Sequence, residues 1–461
     1  MYNISKIAFS LLITTTLAGN TFAQSKSTTI DSMINRTNKF GLFNGNVMVV
    51  DGGKVVYKKA IGYADASKQT MLTDQYRFHI GSIAKEFNAV AIMMLQEQGK
   101  LSINDKVTKY LTGMPAWAEK ISIKNLLQYA SGLPDLKWRT LKDNEDAFNA
   151  LKAHEKLDFE PGTKYAYNNS NTLLQRRIIE KVSGLSFNEF VAQKMLKPLK
   201  MTNSLVDPTE ETPLLAKSYN NSFVQSSLFA PITGWTAVTL DDFYKWEKAL
   251  ESFKLISPAS TLAIITPFEP NKQCGLGGGS MQGNKMTAHR HDGTSLNYQA
   301  LLTANVPLGR TVILMTNNKQ NNLGDINDAI FSILDGKPYE QPKKVIITAL
   351  QSKLDSLSAD AILAAYQDLK AKYPQDYAFN ESSLNSIGYY LLGKKRTDEA
   401  IAIFEHNVML FPKSGNLYDS LGEAHKIKGD NAKALLNYKR AVQLDPTNAA
   451  AKAIVAELEK Q

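Results

Sequence analysis

Two segments near the end of the chain, TDEAIAIFEHNVMLFPKSGN from Thr397 and NAKALLNYKRAVQLDPTNAA from Asn431, superimpose at an offset of 34 residues. Ala400 falls on Ala434, Ile401 on Leu435, Phe404 on Tyr438 and Pro412 on Pro446, and Gly388 falls on Gly422 at the same offset. A period of that length, in sequence that reads as helix throughout, is a strong constraint. Each unit is a helical hairpin whose apolar face must be covered by its neighbour.

The period and its alanine, aromatic and proline positions resemble tetratricopeptide repeats, covering Ser386 to Ala450. Two clear repeats are fewer than the roughly three that such a stack needs, so Lys353 to Lys372 and the C-terminal helix are expected to complete it. The alternative is a helical lid packed on the preceding domain. Residues 376–461 are assigned to the repeats. Residues 341–375 are assigned to a linker and a capping helix, because ILDGKPYEQPKK places two prolines and polar residues near Gly336 to Lys344.

Before that linker the pattern is different. NVMVVDGGKVVYKKAIG (Asn46 to Gly62) holds two β-branched runs around Asp51-Gly52-Gly53, the signature of a hairpin with a tight glycine turn. Helical spacing follows, as in Ile83, Phe87, Val90 and Met94, and later in Leu173, Leu174, Ile178, Ile179 and Val182. After Gly275-Leu276-Gly277-Gly278-Gly279 strand patterns return in KMTAHRH, NYQALLTANV and RTVILMTNN. Strands at both ends with helices between predict an α+β domain over residues 28–340, its two ends closing one antiparallel sheet and its middle forming a helical lobe.

The first residues, MYNISKIAFSLLITTTLAGNTFAQ, carry Lys6, an apolar run from Ile7 to about Leu17, and small residues before Ala23. They read as a secretory signal peptide over residues 1–23, its apolar run being shorter than the roughly 20 residues of a membrane span. The mature chain is expected to be exported, periplasmic or secreted, with no transmembrane segment. Its lone Cys274 cannot form an intramolecular disulfide and reads as a buried small residue. The balance of 53 Lys+Arg against 44 Asp+Glu gives a net charge of +9, but the basic residues are scattered, which argues against nucleic-acid binding.

Three short motifs carry chemistry. GSIAKEF (Gly81 to Phe87) sets Ser82 and Lys85 three positions apart at a helix start, on one face, where a lysine can exchange a proton with a serine nucleophile. Alone, S-x-x-K occurs often by chance. Two further elements follow in order: Tyr167-Asn168-Asn169 after Glu160-Pro161-Gly162, and His291-Asp292-Gly293 on a candidate strand. A phenol can relay protons, an asparagine amide can orient a substrate amide, and a glycine at a strand edge admits substrate backbone.

Together, FHIGSIAKEF, LSINDKVTKYL, ISIKNLLQYASGLPDL, FEPGTKYAYNNSN and HDGTS resemble the serine β-lactamase-like family from about Phe43 to Gly336. That family holds class C β-lactamases, D-alanyl-D-alanine carboxypeptidases, D-amino-acid amidases and related esterases. The resemblance implies a five-stranded antiparallel sheet flanked by helices, with a helical lobe. It implies Ser82 as the acylated nucleophile, Lys85 as its proton partner, and Tyr167 as general base or proton shuttle. Asn169 would bind the substrate amide, His291 and Gly293 would form the third motif, and the backbone N–H groups of Ser82 and Thr294 would form the oxyanion hole. No cofactor is implied.

The chain departs from the family pattern in three places. His291 stands where penicillin-inactivating members usually have lysine, which favours peptidase or esterase activity over β-lactamase activity. Trp235, in ITGWTAVTLDD, replaces a usual glycine and reads either as lining the acyl pocket or as a core residue beneath it. Tyr129 replaces the frequent histidine before SGLP. The HRHD run at His289 to Asp292 has the look of a zinc motif, but with only six histidines in the chain a four-ligand site is not expected. His79 reads as a strand-end packing residue.

Two functions from different classes follow. One is an exported serine hydrolase acting through a Ser82 acyl-enzyme on an ester, amide or D-amino-acid peptide. The other is an envelope protein without turnover whose repeats bind a protein partner. Retention of Ser82, Lys85, Tyr167 and Asn169 together favours the enzyme.

Overall fold

The computed structural model of the protein describes residues 26–228, 232–351 and 353–460. The expected signal segment lies outside them. The chain divides into two compact units, Met1–Pro342 and Lys343–Gln461.

In the first unit, a helix over residues 26–39 (α1) precedes β1 (Gly45–Asp51) and β2 (Lys54–Ile61). The hairpin between them turns at Gly52 and Gly53, whose φ values of +57° and +74° require residues without a Cβ penalty. After β3 (Phe78–His79) come α2 (Lys85–Glu97) and α3 (Asn169–Ser183), then β4 (Leu205–Val206) and β5 (Thr236–Val238). The chain continues through α4 (Leu240–Glu251), α5 (Pro258–Ile265), β6 (Gly278–Gln282), β7 (Lys285–Ser295), β8 (Tyr298–Asn305), β9 (Arg310–Thr316) and α6 (Leu323–Leu334).

The main sheet has the order β2-β1-β9-β8-β7-β6, and a small second sheet has the order β3-β5-β4. The two ends of the unit meet as predicted: β1 pairs with β9, Val47 opposite Leu314 and Val50 opposite Thr311. Both faces of these central strands are covered, which is why they read as unbroken apolar runs. Val47, Val49, Val312 and Leu314 pack with α1 and α6, whereas Met48, Val50, Ile313 and Met315 join the core of the helical lobe.

Six strands replace the expected five. The extra one, β6, begins inside the glycine run, at Gly278 and Gly279. At Gly279 a Cβ would lie 2.4 Å from Ala288 O and 2.5 Å from Ile265 Cδ1, so only glycine lets β6 pass between β7 and α5.

The second unit contains α7 (Ile346–Leu350), α8 (Ala359–Lys372), α9 (Glu381–Gly393), α10 (Thr397–Leu410), α11 (Gly415–Lys428), α12 (Asn431–Leu444) and α13 (Ala449–Leu458). Ile346, Ile362 and Tyr366, from the stretch read as linker and cap, share one buried cluster with Leu384, Ile387 and Phe404. The repeated positions do the same job in successive hairpins: Phe404 packs against Gly388, and Tyr438 against Gly422. Among the described residues no helix is long and apolar enough to cross a membrane.

Candidate active site

Ser82 sits in a single 3₁₀ turn, Gly81–Ala84, that runs directly into α2. Gly81 has φ +55°, and a Cβ on it would lie 2.5 Å from Thr294 N. From the other side, a Cβ on Gly293 would lie 2.0 Å from Ile80 O and 2.9 Å from Ser82 N. Two glycines therefore let β7 press against the turn that carries Ser82, bringing the Ser82 and Thr294 amides to the same contact. β6 pairs with β7 only as far as Arg290, so residues 291–295 keep one open strand edge beside Ser82.

Lys85 is the first residue of α2 and is buried, with Nζ 2.8 Å from Ser82 Oγ. The Tyr167 hydroxyl donates to the same oxygen, also at 2.8 Å. Burial, with a smaller contribution from the Arg176 guanidinium, lowers the Lys85 pKa to about 7. Tyr167 is shifted the other way: burial of its phenol pushes the pKa up, against the Ser82 hydrogen bond. One neighbour of the serine is thus poised to lose a proton near neutrality, and the other holds its proton.

The loop carrying Tyr167 is pinned from beneath. Ala166 N donates to Tyr129 O at 2.8 Å, Asn168 Nδ2 to Leu133 O at 2.7 Å, and Ser170 Oγ to Pro134 O at 2.6 Å. Asn168 also caps α3 through Asn171 N. Tyr129 adopts φ +53°, costly for an aromatic residue, and its buried ring lies 4.6 Å from that of Tyr167. Asn169 opens α3 two residues after Tyr167 and is half-buried, with no side-chain hydrogen bond described.

Trp235 is half-buried, and its ring has Lys85 Nζ and Arg176 Cζ each 5.0 Å from the centroid. Its backbone is held by Asp207, which accepts from Trp235 N at 2.9 Å and from Gly234 N. It also walls a cavity of about 220 Å³ with His79, Leu228 and Ile232. Cys274 is buried, and its thiol is pushed up to about 12 by that burial. His79 is buried beside Trp235 and Tyr298, its Nδ1 accepting from Gly81 N; burial lowers it to about 4.

Ser82, Lys85, Tyr167, Trp235, Gly293 and Thr294 therefore converge. His291 is nearby on β7 but bonds to Glu86, 2.6 Å from its Nδ1. Sequence reasoning missed Arg176, Glu86, Glu247 and Trp246. Glu86 follows Lys85 and looks like an ordinary first-turn acid; the i, i+2 spacing of His289 and His291, which puts both on one face of β7, was the available signal. Arg176 is buried and donates to Thr233 O and Gly234 O, where its burial lowers its pKa to about 10.

Fold and site together define a serine hydrolase of the acyl-transfer type. The chain belongs to the beta-lactamase family, whose model matches residues 34–335, and residues 415–448 match a tetratricopeptide repeat. A penicillin-binding protein of Bacillus subtilis is 28% identical over 356 residues, 68% of this chain and 78% of its own. The teichoic acid D-alanine hydrolase of Staphylococcus aureus is 31% identical over 241 residues, 50% of this chain and 60% of the relative. The crystal structure of FmtA from Staphylococcus aureus superposes with a TM-score of 0.56 at 27% identity, over 69% of this chain and 91% of that one. A class C beta-lactamase shares the fold, with a TM-score of 0.55 at 18% identity over 68% of this chain and 96% of that one.

Proposed function

We propose that this enzyme hydrolyses an ester, amide or D-amino-acid peptide through an acyl-enzyme on Ser82. The observation that carries the reading is the convergence of Lys85 Nζ and Tyr167 Oη on Ser82 Oγ, each at 2.8 Å. With its pKa near 7, Lys85 in its neutral form takes the Ser82 proton as the oxygen attacks the substrate carbonyl. The carbonyl oxygen becomes anionic and is met by the Ser82 and Thr294 amides. Tyr167, which keeps its proton, passes it to the leaving oxygen or nitrogen and recovers one from Lys85. Water then attacks the acyl group by the same route reversed. Asn169 and the open edge of β7 hold the substrate backbone, and Trp235 bounds the acyl pocket.

Of the relatives, one is a teichoic acid D-alanine hydrolase and another a penicillin-binding protein. A D-alanyl ester or peptide of the cell envelope is therefore the substrate class favoured here, with export to the envelope and a protein partner held on the concave face of the repeats. Domain limits at residues 28–340 and 376–461 suit this division of labour. The test is intact mass after exposure to benzylpenicillin and, separately, to a fluorophosphonate, beside Ser82→Ala. Fluorophosphonate mass on the wild type alone is expected; equal labelling of Ser82→Ala removes Ser82 as nucleophile. Recovered intact, hydrolysed or protein-bound penicillin tells an esterase, a β-lactamase and a penicillin-binding enzyme apart. Deleting residues from Lys344 onward without changing activity, location or co-purifying proteins would count against the partner.

A further inference from the structure

Next to the nucleophile lies a group of buried side chains that the proposed chemistry does not use. Glu86 on α2, Glu247 on α4 and His289 on β7 are fully buried. Three N–H groups converge on the Glu86 carboxylate: Trp246 Nε1 reaches Oε2 at 2.6 Å, while His291 Nδ1 at 2.6 Å and His289 Nε2 at 3.1 Å reach Oε1. On its far side His289 Nδ1 meets Glu247 Oε2 at 2.6 Å. Burial disfavours charge on both His289 and Glu86, yet mutual attraction wins: His289 is raised well above the usual histidine range by the two carboxylates, and Glu86 is held well below the usual carboxylate range.

A carboxylate can only accept, so each nitrogen aimed at Glu86 carries a proton. His291 therefore carries a proton on Nδ1, and Nε2 is the ring nitrogen that Glu86 leaves uncommitted. No partner of Nε2 is present among the described residues. The ring fits there because residue 277 is glycine: a Cβ on it would lie 2.3 Å from His291 Cγ. Strand alternation puts His291 on the same face of β7 as Gly293, which abuts Ser82.

We propose that Glu86 is a positioning residue of the acyl-transfer site, holding His291 by Nδ1 so that Nε2 is the atom offered to the substrate. This rests on the serine-hydrolase reading for its consequence, but not for its geometry. A glutamine cannot replace Glu86, because it has one acceptor oxygen and its NH₂ must face either Trp246 or the two histidines, all donors. Of the charged or titratable groups near His291, Glu86 on α2 bonds its Nδ1 and His289, on the same strand, shares the Glu86 Oε1 oxygen.

The test is the two-bond ¹⁵N–¹H spectrum of full-length protein labelled with ¹⁵N-histidine, with His291 assigned by its loss in His291→Gln. A proton on Nδ1 is expected; a His291 protonated on Nε2 with Nδ1 bare overturns the proposal. This readout needs no turnover and no variant of Glu86. In Glu86→Gln the His291 pattern should change and kcat/KM for a p-nitrophenyl ester should fall about 100-fold. Glu86→Gln/Trp246→Phe, which removes the conflicting donor, should restore both in part. Glu86→Gln with lowered Tm but an unchanged His291 pattern and kcat/KM overturns it. Failure of the fluorophosphonate to label wild-type Ser82 would speak against the hydrolase reading, and the tautomer would still decide the role of Glu86.

Discussion

Lys85 Nζ lies 2.8 Å from Ser82 Oγ because a 3₁₀ turn delivers the serine one turn before the first residue of α2. Burial of that amine, not the motif spacing, gives it a pKa near 7. The base form exists above this value, so the rate of Ser82 acylation should rise with pH through about 7 and then level. Stopped-flow acylation by a fluorophosphonate between pH 5 and 9 checks it, and Lys85→Ala should lose about 100-fold or more with the rise abolished.

The same shift has a consequence for stability. Between about 7 and 10.5 the unfolded chain binds a proton at Lys85 that the folded chain does not, so this group makes stability increase with pH across that window. Urea titrations of the wild type and Lys85→Met at pH 7 and 9 should show a smaller pH dependence in the variant.

Gly293→Ala places a methyl 2.0 Å from Ile80 O and 2.9 Å from Ser82 N. The Ser82 turn must move, and a shift of about 1 Å is enough to cost about 100-fold in rate. The expected result is a folded protein that labels slowly; unchanged labelling would show that β7 does not set the serine.

Trp235→Gly removes the ring that covers Lys85 and Arg176 and that walls the 220 Å³ cavity. Preference should move towards longer acyl chains in a p-nitrophenyl ester series, at a stability cost of about 3 kcal/mol. An unchanged chain-length profile removes the pocket role.

In the repeats, Gly388→Ala would drive a methyl to 2.4 Å from Phe404 Cε1, whereas at Gly422 the nearest atom, Tyr438 Cδ2, is at 3.0 Å. The first should destabilise by about 1–3 kcal/mol through overpacking. The second should be nearly neutral, since the helix gains about 1 kcal/mol from losing a glycine. Thermal melts of the two full-length variants measure the contrast.

Much of this protein was legible locally. The hairpin at Gly52-Gly53, the strand pattern of β7 to β9 and the helical spacing of α2 and α3 depend on side chains within one turn or one strand of each other, and the 34-residue period is a direct repeat of the sequence. Ser82, Lys85 and Tyr167 were legible as types in order. The sixth strand was not, because Gly278 and Gly279 have no strand preference of their own; it forms by pairing with β7, and at Gly279 α5 and β7 leave no room for a Cβ.

The amino-acid sequence by itself determined the elements, the repeat period and the chemical types available at the site, since periodicity, turn residues and reactive groups are properties of neighbours along the chain. Tertiary structure alone decided which of those groups are charged and where they point. Glu86 is an anion that accepts from three donors, Lys85 has a pKa near 7, and Arg176 lies under Trp235, because residues 59 to 205 positions apart are packed together. Desolvation acts on a place in space, and no window of sequence contains that place.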